Sequence, residues 1–211
     1  MRTFSASDRI IDQIDQTLKA VFVPPPRDPF PETVPREEGE LSRADRDLAA
    51  RLMRVNHAGE VAAQALYQGH ALCATDNRVY AAMREAGRDE LSHLHWTSAR
   101  LKELNGHRSL LTPIWYLGSF AIGASTALLG DTISLGFVAE TERQVVAHLE
   151  GHLARLPKTD QKSRIILEHM VADEARHATK ALEAGGRSLP LPMRWAMRMA
   201  SQLMTRTAFW L

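Results

Sequence analysis

The sequence has 211 residues, a net charge of +1 at neutral pH and one cysteine, Cys73. That length suits one domain with a sizeable core, and the near-neutral balance excludes a strong global field for nucleic acid or an acidic substrate. A single cysteine excludes an internal disulfide framework and any cysteine-built zinc or iron–sulfur centre within one chain.

The first stretch, MRTFSASDRIIDQIDQTLKAVF, carries Asp8, Asp12 and Asp15 and no continuous apolar core. Neither a signal peptide nor a transit peptide is expected, and the chain is expected to stay where it is made. Ile10, Ile14, Leu18 and Val21 recur at helical spacing, which predicts a short amphipathic helix over about 7–22. The run PPPRDPFPETVP then forbids helix and predicts an extended linker. Ser42 ahead of Asp45 and Asp47 marks the start of a long helix to about Cys73. A short break leads to a second helix, about Arg78 to Leu104, stopped by Asn105 and Gly106. So brief a connection makes the two antiparallel neighbours.

From Ser109 to Gly130 there is no charged residue. The length fits one membrane crossing, but a crossing would put the two halves of the chain on opposite sides of a bilayer. Pro113, Gly118, Gly123 and Gly130 also interrupt it. The stretch is expected to be a long, partly helical crossover with one side at a lipid interface; burial against protein is the alternative. A third helix should run from about Leu128 or Ser134 to Leu156 ahead of Pro157, and a fourth from the cap Asp160 to Ala184, with Gly185 and Gly186 as the stop. After Pro190 and Pro192, arginines alternate with Trp195, Met199, Leu203, Phe209 and Trp210, the composition of an interfacial amphipathic helix. The expected organisation is an arm over 1–41, a helical bundle over 42–186 and an amphipathic helix over 187–211.

The second and fourth helices each carry a Glu-x-x-His unit, Glu90 with His93 and Glu174 with His177. Residues three apart share a helix face, so each unit can offer a carboxylate oxygen and an imidazole nitrogen to one metal ion. Both glutamates fall within apolar stripes, where an ionisable group is costly unless paired or metal-bound. Glu60 precedes Glu90 by about the distance at which Glu142 precedes Glu174. Of Glu140 and Glu142, periodicity chooses Glu142, which shares the stripe of Val138, Val145 and Leu149. The set Glu60, Glu90, His93, Glu142, Glu174 and His177 reproduces the di-iron constellation of ferritin-like four-helix bundles. Oxygen and nitrogen donors without thiolate select iron or manganese, and two Fe(II) ions can deliver electrons to O₂.

The stretch RVNHAGE, followed by the two Glu-x-x-His units with Glu142 and His148 between them, resembles the demethoxyubiquinone hydroxylases over about Ala49 to Gly186 and the amphipathic C-terminus. The resemblance implies an all-α ferritin-like fold, two irons on those six ligands, and O₂-dependent hydroxylation of the ring of a polyprenyl benzoquinol in ubiquinone biosynthesis. NADH or the quinol itself would be the reductant. It also implies a peripheral position on the cytoplasmic face of the inner membrane, with other ubiquinone-biosynthesis proteins or a second copy as partners. His148 matches a residue beside the centre and Arg51 one that contacts reductant or quinone. Members of the family often have tyrosine after that histidine; here it is Leu149. Two other readings use the same ligands: a peroxidase or ferroxidase, and a bundle in which iron is passive. The uncharged crossover and the Trp- and Arg-bearing tail favour the first reading, because neither alternative needs a greasy substrate.

Overall fold

A computed structural model describes residues 7, 8, 11, 12, 14, 15 and 29–211; these form helices and connections, with no strand among the described residues. Of the expected N-terminal helix, the six described positions are helical; its remainder, and the proline run up to residue 28, lie outside the described residues. The later part of the linker is not extended. Val34 N donates to Pro31 O in a turn, and Val34 joins the apolar cluster of Leu101, Leu104 and Ile166. Burial of that side chain favours the turn over a free arm.

Six helices follow: α1 (Arg43–Cys73), α2 (Asn77–Glu103), α3 (Thr112–Leu128), α4 (Asp131–Arg155), α5 (Gln161–Glu183) and α6 (Leu191–Trp210). Ser42 Oγ accepts from Asp45 N at 3.1 Å and Asp160 Oδ1 from Ser163 N at 2.9 Å, so both expected caps form. The α1–α2 turn is tied to the start of α4, where Asp131 accepts from the Thr75 hydroxyl at 2.6 Å and from Asp76 N at 2.8 Å.

The antiparallel hairpins α1/α2 and α4/α5 pack into an all-α ferritin-like four-helix bundle, with α2 and α5 as facing neighbours. The crossover is more regular than its glycines suggest: α3 is a continuous helix of 17 residues lying along α1. Gly118 and Gly123 fall inside it rather than breaking it. A Cβ on Gly123 would strike Leu66 O, and one on Gly69 would strike Phe120 O, so the two glycines let the backbones touch. At Gly130, φ is +108°, and the chain turns there into α4.

The outer face of α3 is uncharged and exposed at Ile114, Leu117, Ile122 and Leu128. Helix α6 divides its faces. Ala208 and Phe209 pack with Val55, Ala58 and Trp115, while Trp195, Met199, Leu203 and Trp210 face outward. Leu110 N donates to Leu211 O at 2.9 Å, joining the start of α3 to the end of α6. Among the described residues no helix is long and apolar enough to cross a membrane.

Candidate metal centre

Glu60 on α1, Glu90 and His93 on α2, Glu142 on α4, and Glu174 and His177 on α5 all point into the bundle, each at most 4% exposed. One ligand atom each from Glu60, Glu90, His93 and Glu174 gathers within 4.8 Å. Glu174 Oε1 lies 2.9 Å from His93 Nδ1 while its Oε2 lies 3.1 Å from His177 Nδ1. Glu90 does the same, with Oε2 at 3.6 Å from His93 Nδ1 and Oε1 at 3.5 Å from His177 Nδ1. Two glutamates therefore each span both histidines. Glu60 Oε2 stands beside His93 Nδ1 at 3.6 Å, and Glu142 feels the charges of Glu174, Glu90 and His177.

The electrostatics of this cluster are those of a cation site. Glu60 Oε2, both oxygens of Glu90, Glu174 Oε1 and His93 Nδ1 are buried without a well-formed hydrogen bond, a costly arrangement for carboxylates. Burial drives Glu60 and Glu142 well above the usual carboxylate range, and neighbouring carboxylates push both further. Burial also opposes charge on His177, but Glu174 and Glu90 override it and raise its pKa to about 11. Four carboxylates with two neutral imidazoles carry four negative charges, the number two divalent ions neutralise. The donor set of oxygens and nitrogens without sulfur fits iron.

A second layer holds the imidazoles. His93 Nε2 lies 3.0 Å from Asp173 Oδ2 on α5, and His177 Nε2 lies 3.0 Å from Asp89 Oδ2 on α2. A carboxylate can only accept, so each Nε2 carries the proton and each Nδ1 is left to face the cluster. The sequence reading passed over both aspartates, although each directly precedes its glutamate and the repeated unit is Asp-Glu-x-x-His. It also passed over Tyr67, whose buried hydroxyl donates to Glu142 Oε1 at 2.6 Å.

The family model described as "Ubiquinone biosynthesis protein COQ7" matches residues 47–208, which include all four bundle helices except the first turn of α1. The chain belongs to this COQ7 family. Among its curated relatives, the 3-demethoxyubiquinol 3-hydroxylase of Nitrosospira multiformis is 52% identical over 204 residues, covering 96% of this chain and 98% of the relative. That of Nitrosococcus oceani is 52% identical over 217 residues, covering 100% and 99%. That of Burkholderia multivorans is 50% identical over 205 residues, covering 97% and 99%.

In this COQ7-family chain a narrow cleft reaches the cluster between α1, α4 and α6. Glu60, Glu90, Glu142 and Glu174 line its inner end; Val55, Leu149 and Met204 give it apolar walls. His148 lines the same cleft, its ring 3.9 Å from that of His152, and burial lowers its pKa to about 4. Leu149 is fully buried in the bundle's apolar cluster. Arg51 is not brought to the cluster: its guanidinium lies 4.6 Å from the Trp210 ring and 5.6 Å from that of Phe209, pinning the end of α6. Glu140 faces away from the cluster, as periodicity requires, yet it is buried and takes Arg194 of α6 at 3.0 Å. His57, His70 and His152 are buried on polar side chains elsewhere, bonded to Thr97, Ser134 and Asn56.

Proposed function

We propose that this chain is a di-iron monooxygenase that hydroxylates the ring of a 3-demethoxyubiquinol; its curated relatives are named 3-demethoxyubiquinol 3-hydroxylase. The observation that carries the metal assignment is the pair of glutamates, Glu90 and Glu174, each spanning both histidines. Glu60 with His93 and Glu142 with His177 would complete two iron positions. Bound as Fe(II), the pair supplies the electrons with which O₂ is activated. One oxygen atom enters the ring C–H bond as hydroxyl and the other leaves as water, so two electrons and two protons are needed. NADH with one further proton from water, or the quinol with both of its own, would supply these.

The chain's own residues do the positioning. Asp173 and Asp89 fix both imidazoles with Nδ1 inward, and Tyr67 holds one oxygen of Glu142. The cleft beside Glu60 and Glu142 receives the ring against Val55, Leu149 and Met204, and His148 stands in its wall to meet a polar ring substituent. The exposed apolar residues of α3 and α6 suit a bilayer surface and a polyprenyl tail. In this reading the bundle over 42–186 holds the metal, 187–211 holds the membrane, and the protein is peripheral on the cytoplasmic face of the inner membrane, alone, as a homo-oligomer or with other ubiquinone-biosynthesis proteins. Arg51 then acts by fixing the end of α6.

The test is isotopic. Protein loaded with two irons should place oxygen from labelled O₂ into the new ring hydroxyl; label arriving from water would overturn the monooxygenase reading. Glu174→Ala should lose iron as well as turnover, and a variant keeping both would overturn the ligand assignment.

A further inference from the structure

A groove of about 400 Å³ runs between α4 and α6 on the flank of the bundle, outside the Glu and His cluster. Arg143 of α4 lines it on one side, Arg194 and Arg198 of α6 on the other. Arg194 is engaged by Glu140 at 3.0 Å, which neutralises one of the three. Arg143 and Arg198 are exposed, and neither has an ion pair among the described residues. Two guanidiniums across a groove from one another repel unless an anion lies between them.

The position of the arginines on α6 identifies the anion. Trp195, Met199 and Leu203, four residues apart, form the exposed apolar stripe. Arg194 and Arg198 precede Trp195 and Met199 by one residue each, so the arginine row lies about 100° round the helix from the apolar row. When the apolar row enters the hydrocarbon boundary, the arginine row comes level with the headgroups. A water-soluble nucleotide would make no use of the apolar row, and His148 is the only ring among the groove's lining residues to stack on a base.

We infer that the α4/α6 groove is a binding site for the phosphate of an anionic phospholipid headgroup, held between Arg143 and Arg198. This rests on the membrane-surface reading given above. The groove shares Gln144, His148, Ser201 and Thr205 with the cleft that leads to the metal cluster. A headgroup bound there draws α6 onto α4 and sets the membrane beside the cleft's mouth.

Co-sedimentation of the full chain with vesicles tests this, comparing phosphatidylcholine alone with phosphatidylcholine containing phosphatidylglycerol. Diffuse attraction to an anionic surface is worth about 1 kcal/mol per basic residue, roughly fivefold in binding, wherever that residue sits. Arg206→Ala, an exposed change outside the groove, measures that background. Arg143→Ala and Arg198→Ala should each weaken binding to the anionic vesicles by clearly more than Arg206→Ala does. Neither should alter binding to phosphatidylcholine alone, and thermal melts should report all three variants as folded. Equal losses from all three would overturn the site and leave the membrane reading standing. No binding of the parent protein to either vesicle would overturn both. Release of the parent by NADH, but not by glycerol phosphate, would reassign the groove to a nucleotide and overturn the lipid assignment.

Discussion

The two aspartates behind His93 and His177 show what a single residue does in this cluster. Asp173 and Asp89 each cross from one helix to the histidine of the other at 3.0 Å, so the α2 and α5 units hold one another in orientation. Loss of such a partner typically weakens metal binding 10- to 100-fold. Asp173→Ala is expected to lower iron affinity by that order, read by anaerobic metal titration, with α-helical content unchanged by circular dichroism. Unaltered affinity would show that His93 needs no such support. Glu90, His93, Glu174 and His177 were legible because a spacing of three places Glu and His on one helical face, twice, and Glu60 and Glu142 because each precedes such a unit by a similar distance. The aspartates were not, since a residue next to Glu90 or Glu174 points about 100° away, and its partner lies on a helix whose position periodicity does not report. Arg51 illustrates the same gap: the spacing that placed it on α1 carried no information about Trp210, 159 positions later, on which it stacks at 4.6 Å.

At the scale of elements, helices were readable where caps and apolar periodicity agreed, as at Ser42, Asp160 and Gly185. They were less so where composition alone spoke. The crossover is apolar on every face, so periodicity could not say which side meets α1, and its glycines resembled breaks. Their purpose is the α1/α3 crossing, where Gly69 and Gly123 bring backbone against backbone. Gly123→Ala is therefore expected to destabilise the fold by about 1–3 kcal/mol, the usual cost of overpacking, despite alanine's better helix propensity. Gly118→Ala, at a position with nothing within 4 Å of the added methyl, is the control. It should be neutral or slightly stabilising in the same denaturant titration. Equal effects from both would mean that the crossing is looser than the glycines imply.

The whole molecule sets two kinds of buried charge chemistry side by side: a cluster of carboxylates and histidines, and several histidines kept neutral by burial. His70 belongs to the second kind, enclosed between α1, α3 and α4, with Nδ1 2.6 Å from Ser134 Oγ and no carboxylate partner. Burial lowers its pKa from 6.5 to about 3. The sign of the consequence follows from proton binding in each state. As pH falls below 6.5 the unfolded chain takes a proton on this histidine and the folded chain refuses it until about pH 3, so acid favours unfolding throughout that window. Each such group steepens the loss by about 1.4 kcal/mol per pH unit. His57, lowered to about 3 by burial and Arg108, adds to the same trend. The metal centre also titrates, so total stability against pH mixes the two kinds of group; a comparison of variants separates them. His70→Gln is expected to be less stable than the parent at pH 7.5 because it disturbs the bond to Ser134. Its deficit should then shrink by about 1.4 kcal/mol for each pH unit between 6 and 4, measured by denaturant titration of metal-loaded protein. A deficit independent of pH would show that His70 takes up its proton without unfolding, and that the α1, α3 and α4 junction admits a charge.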